Sequence, residues 1–346
     1  MRALPALTPH PALGVDVDQT PNGLRRAAEA RCSPEKDIVL VTTDLNQLDI
    51  AVNLLANLAD VGVPHYLLIT NDDKTCRTIS DKLACVWTSL MTQFKPKLRE
   101  AGTNAVRALW LMRQIYLGRL ARMGFNPMLL DADVVLFRNP FPLVRAHLPG
   151  YQAIFLGDTS AGYMSANGGT VYVRGAARDG PVVQIWRNFE RRVFELLNTS
   201  AKFPEQTFHK TRRGMVGGPG VPADALLYDQ NVLDWSIVGQ IVNDSNFVGR
   251  GFSSTMRYLT PAERAMIAWR IEAEVHRLPA GMSCPGQGFR PDFAVRSLEV
   301  SSGERREWLA KAPSWLFAAE SDDYPAGSWL ASRTSGKPRR TRIAAK

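Results

Sequence analysis

The sequence predicts an α/β fold in which helices cover both faces of a mostly parallel sheet. Apolar runs of strand length alternate along its 346 residues with segments of helical periodicity. The strand segments are nearly continuous apolar runs, which is typical of strands that are buried on both faces. Polar residues follow several of these runs directly. Because ligands bind beyond the carboxyl ends of the strands in such sheets, these polar residues are the first candidates for a functional site.

The first half of the chain predicts three strands and the helices between them. Residues 1–36 show no periodicity and are interpreted as a loose arm. Strands are expected at residues 37–44, 65–70 and 128–137. Apolar residues at helical spacing predict helices at residues 48–59, 74–91 and 103–123, with Thr103 as N-cap of the last. Strands and helices that alternate in this way form βαβ units, which build a parallel sheet.

The second half is less regular. Strands are expected at residues 151–156 and 169–174, and helices at residues 181–197 and from residue 228 onward. Between these helices, the glycine-rich stretch 198–222 is long enough to be a mobile cover over a site. After about residue 291 the chain becomes polar, and it ends in a short basic run.

Asp131 and Asp133 are the most informative residues of the chain. Both lie within the apolar run 128–137, and in an extended strand their side chains would point to the same side. Two ionised carboxylates side by side in a buried strand repel each other and lose hydration. A shared divalent cation, a shared proton or a chemical task for one of them is therefore expected. Two aspartates that face water at a frayed strand end are the alternative without function.

Two chemistries use such an Asp-x-Asp at the end of a buried strand. The first is phosphoryl transfer through an aspartyl nucleophile, as in haloacid-dehalogenase-like phosphatases. Asp158 imitates the later acidic motif of those enzymes, but the second acid of that motif is replaced by Gly162. The second chemistry is sugar transfer from a nucleotide diphosphate, whose departing negative charge a divalent ion neutralises. Oxygen ligands suit Mn²⁺ or Mg²⁺ at such a site.

Composition narrows the classes of partner. The net charge of +9 suits a phosphate-bearing partner, but no nucleic-acid motif is present, so nucleic acid is not an expected partner. No apolar run approaches the roughly 20 residues of a membrane span, and the first residues lack a signal-peptide core. The four cysteines show no metal-binding spacing and leave two disulfides or none as open alternatives.

Three segments occur in an order that makes the chain resemble a known family. They are residues 124–140, 167–174 and 228–233. In this order they resemble the metal-binding strand, the Asn-x-Gly segment under the donor sugar and the Asp-Gln segment beside the reactive carbon of nucleotide-diphospho-sugar transferases. These are the Golgi-type Asp-x-Asp glycosyltransferases, which include plant and algal arabinosyl-, xylosyl- and galactosyltransferases. The resemblance runs from about residue 37 to residue 239.

The resemblance implies a GT-A fold and a role for several residues. The implied metal ligands are Asp131, Asp133 and His276. The implied donor contacts are Thr42, Thr43, Asp44, Arg107, Asn167 and Gly168. Asp229 and Gln230 are implied beside the reactive carbon, in a transfer that mostly retains the anomeric configuration.

The resemblance also implies partners and an organisation of the chain. The cofactor is Mn²⁺ or Mg²⁺, the donor is a nucleotide-diphosphate sugar with UDP as the expected nucleotide, and the acceptor is a glycan, such as one of the cell wall, or a glycoprotein. A Golgi lumen location is expected from the family, although this sequence shows no signal or anchor. The expected organisation is a flexible arm at residues 1–36, a GT-A domain at 37–290 and an extension with a basic tail at 291–346. A nucleotide- or glycan-binding protein of this fold without turnover is the alternative.

Overall fold

The computed structural model describes residues 10, 12–80, 82–100, 106–147, 149, 151–158, 165–198, 228–241, 243, 245, 275–278 and 295–296. The strands are β1 Asp37–Thr43, β2 Tyr66–Thr70, β3 Cys85–Trp87, β4 Asn126–Leu130, β5 Val135–Leu136, β6 Ala153–Asp158, β7 Ser165–Val173, β8 Val275–Leu278 and β9 Val295–Arg296. The helices are α1 Gly23–Glu29, α2 Leu48–Asp60, α3 Asp73–Ile79, α4 Leu90–Glu100, α5 Val106–Arg122, α6 Pro140–His147, α7 Pro181–Asn198 and α8 Asp229–Ile241.

Seven of these strands form one mixed sheet in the order β3-β2-β1-β4-β7-β6-β8. Four of its six neighbouring pairs are parallel, and β7 runs antiparallel to both of its neighbours, β4 and β6. Strands β5 and β9 pair separately in antiparallel orientation. The prediction of a mostly parallel sheet is confirmed.

Both faces of the sheet are covered, as the apolar strand runs predict. Along β1, Ile38 and Leu40 pack on one side, against α1, α4, α5, α7 and α8. Val39 and Val41 pack on the other side, against α2, α3 and α6. Each of these four side chains is fully buried, which stabilises the fold by about 1.5–3 kcal/mol per side chain.

The single helix predicted at residues 74–91 is wrong. Helix α3 ends at Ile79, strand β3 follows, and α4 begins only at Leu90. The three residues of β3 pair in parallel with the end of β2, and a strand this short leaves no readable period in the sequence. Cys76 of α3 forms a disulfide with Cys85 of β3, whereas Cys32 is free.

The run of residues 128–137 is two strands and not one. Strand β4 ends at Leu130, and the amide of Val134 donates a hydrogen bond to the carbonyl of Asp131 at 3.1 Å. Asp131 and Asp133 therefore lie in a turn between β4 and β5. The expectation that strand alternation puts both side chains on the same side does not hold, because the backbone is not extended there.

The N-terminal segment differs from the loose arm expected at residues 1–36. Val15 and Val17 exchange backbone hydrogen bonds with Trp87, both at 3.0 Å, so this segment adds to the outer edge of β3. In α1, Leu24 and Ala27 are buried against the core. The apolar spacing in α1 covers only two turns, which is too short to distinguish it from a coil by periodicity alone.

Several predicted features lie outside the described residues. They are Thr103, the start of the arm, most of the predicted cover at 198–222 and most of the extension at 291–346. Within the part of the chain that is described, no helix is both long and apolar enough to cross a bilayer.

The edge of the sheet where the parallel strands begin contains a buried carboxylate. Asp37 is 2% exposed, accepts a hydrogen bond from the hydroxyl of Tyr172 at 2.9 Å and pairs with Arg145.

The ring of His65 packs on that of Phe141 with centroids 5.1 Å apart, and its Nε2 atom is buried without a hydrogen-bond partner among the described residues. Burial lowers the pKa of His65, and the negative charge of Asp37 only partly opposes this effect.

The disulfide between Cys76 and Cys85 should contribute measurably to stability. It closes a loop between residues nine positions apart, and closing a loop of this size is worth about 3 kcal/mol through the entropy of the unfolded chain. Replacing both cysteines by serine should lower the free energy of unfolding by about this amount in urea titrations. Cys32→Ser is the matched control and should leave the urea midpoint unchanged.

Stability should fall as the pH is lowered through the titration of His65. The pKa of His65 is lower in the folded chain than its ordinary 6.5, so the unfolded chain takes up the proton first. The free energy of unfolding should therefore decrease below about pH 6.5, and His65→Gln should reduce this slope in urea titrations between pH 7.5 and 5.5. The exposed His10 provides the control, since His10→Gln should keep the wild-type slope. Equal slopes in wild type and His65→Gln would contradict this assignment.

Candidate active site

The site begins where β4 ends, near the middle of the sheet. Along β4, Leu129 packs on the side of α5 and Leu130 on the opposite side, and Asp131 then faces α5 again. The amide of Asp131 donates to the carbonyl of Gly169 on β7 at 2.7 Å, which fixes its backbone to the neighbouring strand. The Asp131 side chain is 30% exposed, whereas Asp133 is 5% exposed.

Arg113 of α5 joins two acidic residues that are far apart in the sequence. Its Nη1 atom pairs with Oδ1 of Asp131. Its Nε and Nη2 atoms donate to Oδ2 of Asp229 at 3.2 and 2.8 Å. The Arg113 side chain is 8% exposed and that of Asp229 is 1% exposed, so each buried charge depends on the other for compensation.

Asp229 is the first residue of α8, where the helix dipole favours a negative charge. While Oδ2 accepts from Arg113, its Oδ1 atom is buried and has no hydrogen-bond partner among the described residues. A buried carboxylate oxygen without a partner is costly, and a ligand hydroxyl that donates to it would remove that cost. Gln230 follows in the first turn of α8.

Two glycines of β7 make room for these carboxylates. A Cβ atom on Gly169 would overlap the carboxylate of Asp131. A Cβ atom on Gly168 would lie 2.9 Å from Oδ2 of Asp229 and 3.4 Å from Cγ of Gln230. The glycines are therefore required by the protein's own acidic side chains, independently of any ligand.

Asn167 and Gln114 hold this glycine segment in place. Oδ1 of Asn167 accepts the amides of Gly169 and Thr170 at 2.8 and 3.1 Å. Nε2 of Gln114 donates to the carbonyl of Gly168 at 2.6 Å, and its Oε1 accepts from the indole of Trp186 at 3.1 Å. These bonds set the distance between β7 and α5, and hence between Gly168 and Arg113.

The residues expected to face the nucleoside lie at the same edge of the sheet. In the β1–β4 register Val41 pairs with Leu130, so Thr42 and Asp131 are the next residues of adjacent strands. Thr42 and Thr43 are both buried. Oδ1 of Asp44 accepts the amides of residues 46 and 47 and so caps the short 3-10 turn that precedes α2.

Arg107 lies among aromatic rings at the first turn of α5. Its guanidinium carbon is 4.8 Å from the ring centroid of Trp110 and 4.5 Å from that of Tyr228. Such stacking stabilises a cation through the ring quadrupoles. Tyr228 directly precedes Asp229, so this group lies next to the Arg113 pair along both α5 and α8.

His276 is not brought to the two aspartates by the described backbone. It lies on β8 and pairs with Ile154 of β6. Three strand spacings separate β8 from β4, which is about 14 Å across the sheet. The side chain of His276 lies outside the described residues, so its role as a third metal ligand stays a prediction.

The donor chemistry of Asp131 and Asp133 fits a hard divalent cation, because both offer carboxylate oxygens at the rim of the sheet. Among the residues that the structure describes, no group of three histidine, cysteine, aspartate or glutamate side chains comes together in a way that could hold a metal. A cation here would need further ligands from its substrate or from water. Arg113 already occupies Oδ1 of Asp131.

Arg113 and Gln114 of α5 were not predicted from the sequence as site residues. Both are buried on α5, among apolar residues that pack into the core. Two adjacent polar residues in the middle of a helix that is buried nearly all round are a signal of an internal polar contact. Arg107, on the same helix, was the arginine predicted as a donor contact.

A second Asp-x-Asp, at Asp16 and Asp18, has a structural role. Oδ1 of Asp16 accepts the amide of Ser89 at 3.3 Å, beside the start of α4. Asp18 accepts hydrogen bonds from the hydroxyl of Tyr116 and the guanidinium of Arg119, at 2.7 and 2.9 Å. The tripeptide alone therefore does not identify a ligand site.

Gly169→Ala should disturb the site without any ligand present. The added methyl group overlaps the carboxylate of Asp131, so Asp131 or the β7 backbone must move. The free energy of unfolding should fall by about 1–3 kcal/mol, as for other overpacked positions, in urea titrations. Gly180→Ala is a suitable control, since that glycine is remote from the two acids and has its tightest Cβ contacts, at 3.2 Å, with Ala177. Equal stability of Gly169→Ala and wild type would show that Asp131 is not confined there.

Comparison with known proteins identifies the family. The sequence profile of the family described as nucleotide-diphospho-sugar transferase matches residues 61–249, more than half of the chain. No curated protein matches this chain by sequence.

Solved structures show distant likeness. The glycosyltransferase GlyE of Streptococcus pneumoniae TIGR4 is 11% identical with a TM-score of 0.37, over 87% of this chain and 63% of GlyE. The galactosyltransferase LgtC, in complex with donor and acceptor sugar analogues, is 10% identical with a TM-score of 0.39, over 87% of this chain and 98% of LgtC. Mouse xyloside xylosyltransferase 1 is 13% identical with a TM-score of 0.30, over 72% of this chain and 88% of that enzyme.

This chain therefore spans less than two thirds of the length of GlyE, and similarities this low carry nothing about substrate or mechanism. The assignment rests on the family profile, which covers β2 to α8 and includes Asp131, Asp133, Gly168 and Asp229. The chain belongs to the nucleotide-diphospho-sugar transferase family.

Proposed function

We propose that this chain is a metal-dependent glycosyltransferase of the GT-A type that moves a sugar from a UDP-sugar to a glycan or glycoprotein acceptor, with retention of configuration. One observation carries the proposal. Arg113 brings Asp131, at the end of the central strand, together with Asp229, whose second oxygen has no partner. Asp131, which is partly exposed and could bind a cation, thus lies beside Asp229, whose buried oxygen could accept a hydrogen bond from a sugar hydroxyl.

Asp131 and Asp133 are proposed to hold Mn²⁺ or Mg²⁺. The ion supplies Lewis-acid neutralisation of the diphosphate as it leaves, worth several kcal/mol. Asp131 suits this role because its backbone is fixed to β7 and its side chain is partly exposed at the sheet edge. The low exposure of Asp133 is consistent with a ligand that faces into the turn.

Asp229 and Gln230 are proposed to bind the donor sugar near its reactive carbon. The unpaired Oδ1 of Asp229 is a buried acceptor, and a sugar hydroxyl is a donor of matching chemistry. Asn167 and Gly168 are proposed to line the sugar pocket, because Asn167 fixes the β7 backbone two and three residues further on and Gly168 lies directly beside the Asp229 carboxylate.

The nucleoside is proposed to lie over the end of β1, at Thr42, Thr43 and Asp44. This edge is adjacent to Asp131 by strand register, which matches the order of base, diphosphate and sugar in the donor. Arg107 is proposed as a substrate contact at the outer end of the site, held by Trp110 and Tyr228. A single catalytic domain at residues 37–290 remains the proposed organisation.

Slow hydrolysis of the donor tests the proposal, because it needs no knowledge of the acceptor. A panel of UDP-sugars should first be screened with Mn²⁺ for a rise in melting temperature, and the best one then assayed for release of UDP. Asp131→Asn and Asp133→Asn should each lower this release by roughly 100-fold or more, since the leaving diphosphate loses its neutralising charge.

Asp179→Asn is the matched control, because this aspartate is 75% exposed and pairs only with Arg187 among the described ion pairs. Wild-type rates in Asp131→Asn would refute the metal assignment. Nucleotide binding with no hydrolysis of any donor would favour the binding protein without turnover. Phosphate release from a simple ester that Asp131→Asn abolishes would instead favour the aspartyl phosphatase.

A further inference from the structure

The proposed function assigns Asp131 to a metal ion, but the structure already gives this residue a cation. Arg113 pairs with Oδ1 of Asp131. The other oxygen, Oδ2, lies so close to Gly169 that a Cβ atom there would overlap it. The Asp131 side chain is still 30% exposed, so a second cation can reach it but must compete with Arg113 for Oδ1.

Arg113 is also held in place by Asp229, which is more deeply buried than Asp131. Its Nε and Nη2 atoms both donate to Oδ2 of Asp229, which is almost completely buried. Two charge-assisted hydrogen bonds to one buried oxygen hold the guanidinium against Asp229. Arg113 could thus give up Asp131 and stay where it is, whereas it could not leave Asp229 without stranding a buried charge.

We propose that Arg113 is the resident counter-ion of Asp131 and makes metal binding depend on the nucleotide. This inference rests on the proposed metal-dependent transfer. Without nucleotide, the guanidinium neutralises Asp131 and repels a divalent cation, so the protein binds the metal weakly. A nucleotide diphosphate supplies additional oxygen ligands and negative charge, and the metal then displaces Nη1 of Arg113 from Asp131.

Arg113 is a positioning residue in this scheme. Binding of metal and binding of nucleotide are coupled, and by linkage each strengthens the other by the same factor. The benefit is that Arg113 neutralises the negative charges of Asp131 and Asp229 while no nucleotide is bound, and that the metal binds together with the substrate. A variant without the guanidinium should bind metal well even without nucleotide.

Removing Arg113 alone would strand Asp229, so the test uses a neutral pair. Asp229→Asn keeps the guanidinium on Asp131, and the double variant Arg113→Gln/Asp229→Asn replaces the buried ion pair by two amides that can hydrogen-bond. Mn²⁺ affinity is measured by electron paramagnetic resonance of the free ion, with and without UDP, and the melting temperature shows that each variant folds. The double variant should bind Mn²⁺ about tenfold more tightly than Asp229→Asn without UDP, and this difference should shrink with UDP.

A second variant keeps the inference testable if the double variant does not fold. Arg113→Lys retains the charge but offers one nitrogen instead of three, so it cannot serve both carboxylates and should bind Mn²⁺ more tightly than wild type. Arg122→Gln, at a half-buried position in the last turn of the same helix, removes one positive charge away from the site and should leave Mn²⁺ affinity unchanged.

The outcomes separate this inference from the proposed function. If the proteins bind Mn²⁺ with UDP but the presence of Arg113 makes no difference, Arg113 is not the counter-ion and the metal assignment stands. If no protein binds Mn²⁺ under either condition, the metal assignment falls and this inference falls with it. Tighter Mn²⁺ binding in Asp229→Asn than in the double variant would also overturn it.

Discussion

The pairing of one buried arginine with two aspartates is the constraint on which the site depends. The carboxylate of Asp229 is almost completely buried, and Arg113 of α5 supplies its countercharge. The same guanidinium reaches Asp131 at the end of the central strand. Helices α5 and α8 are therefore fixed relative to β4 by charge as well as by apolar packing. On β7, only glycine at positions 168 and 169 leaves enough room for the carboxylates of Asp229 and Asp131.

Much of the architecture could be predicted from the sequence, because strands that are buried on both faces leave unmistakable apolar runs. Strands β1 and β2 and helices α2, α5 and α7 lie where the pattern places them. Strand β3 could not be predicted, since three residues carry no period. The turn at Asp131 could not be predicted either, because the apolar residues on both sides of it read as one continuous strand.

The candidate site was only half visible in the sequence. Asp131 and Asp133 stand out because two carboxylates interrupt an apolar run, whereas Asp229 was predicted only through the resemblance of residues 228–233 to the family. Arg113 and the adjacent Gln114 do not stand out, since arginine and glutamine are ordinary helix residues and their burial is a property of the tertiary structure. Asp16 and Asp18 show that the pattern alone is not diagnostic. The same Asp-x-Asp pattern occurs there, but its hydrogen bonds attach the N-terminal segment to α5 and to the residue before α4.

That attachment has a consequence for handling the protein. Residues 14–17 run along the outer edge of β3 and satisfy backbone groups that would otherwise be open to pairing with another molecule. A fragment trimmed to begin at β1, as the loose arm predicted at residues 1–36 would suggest, would lose this protecting segment together with the Asp18 contacts to α5. Edge-to-edge association and poor solubility of such a fragment would then reflect the missing strand partner, and would say nothing about the integrity of the catalytic centre.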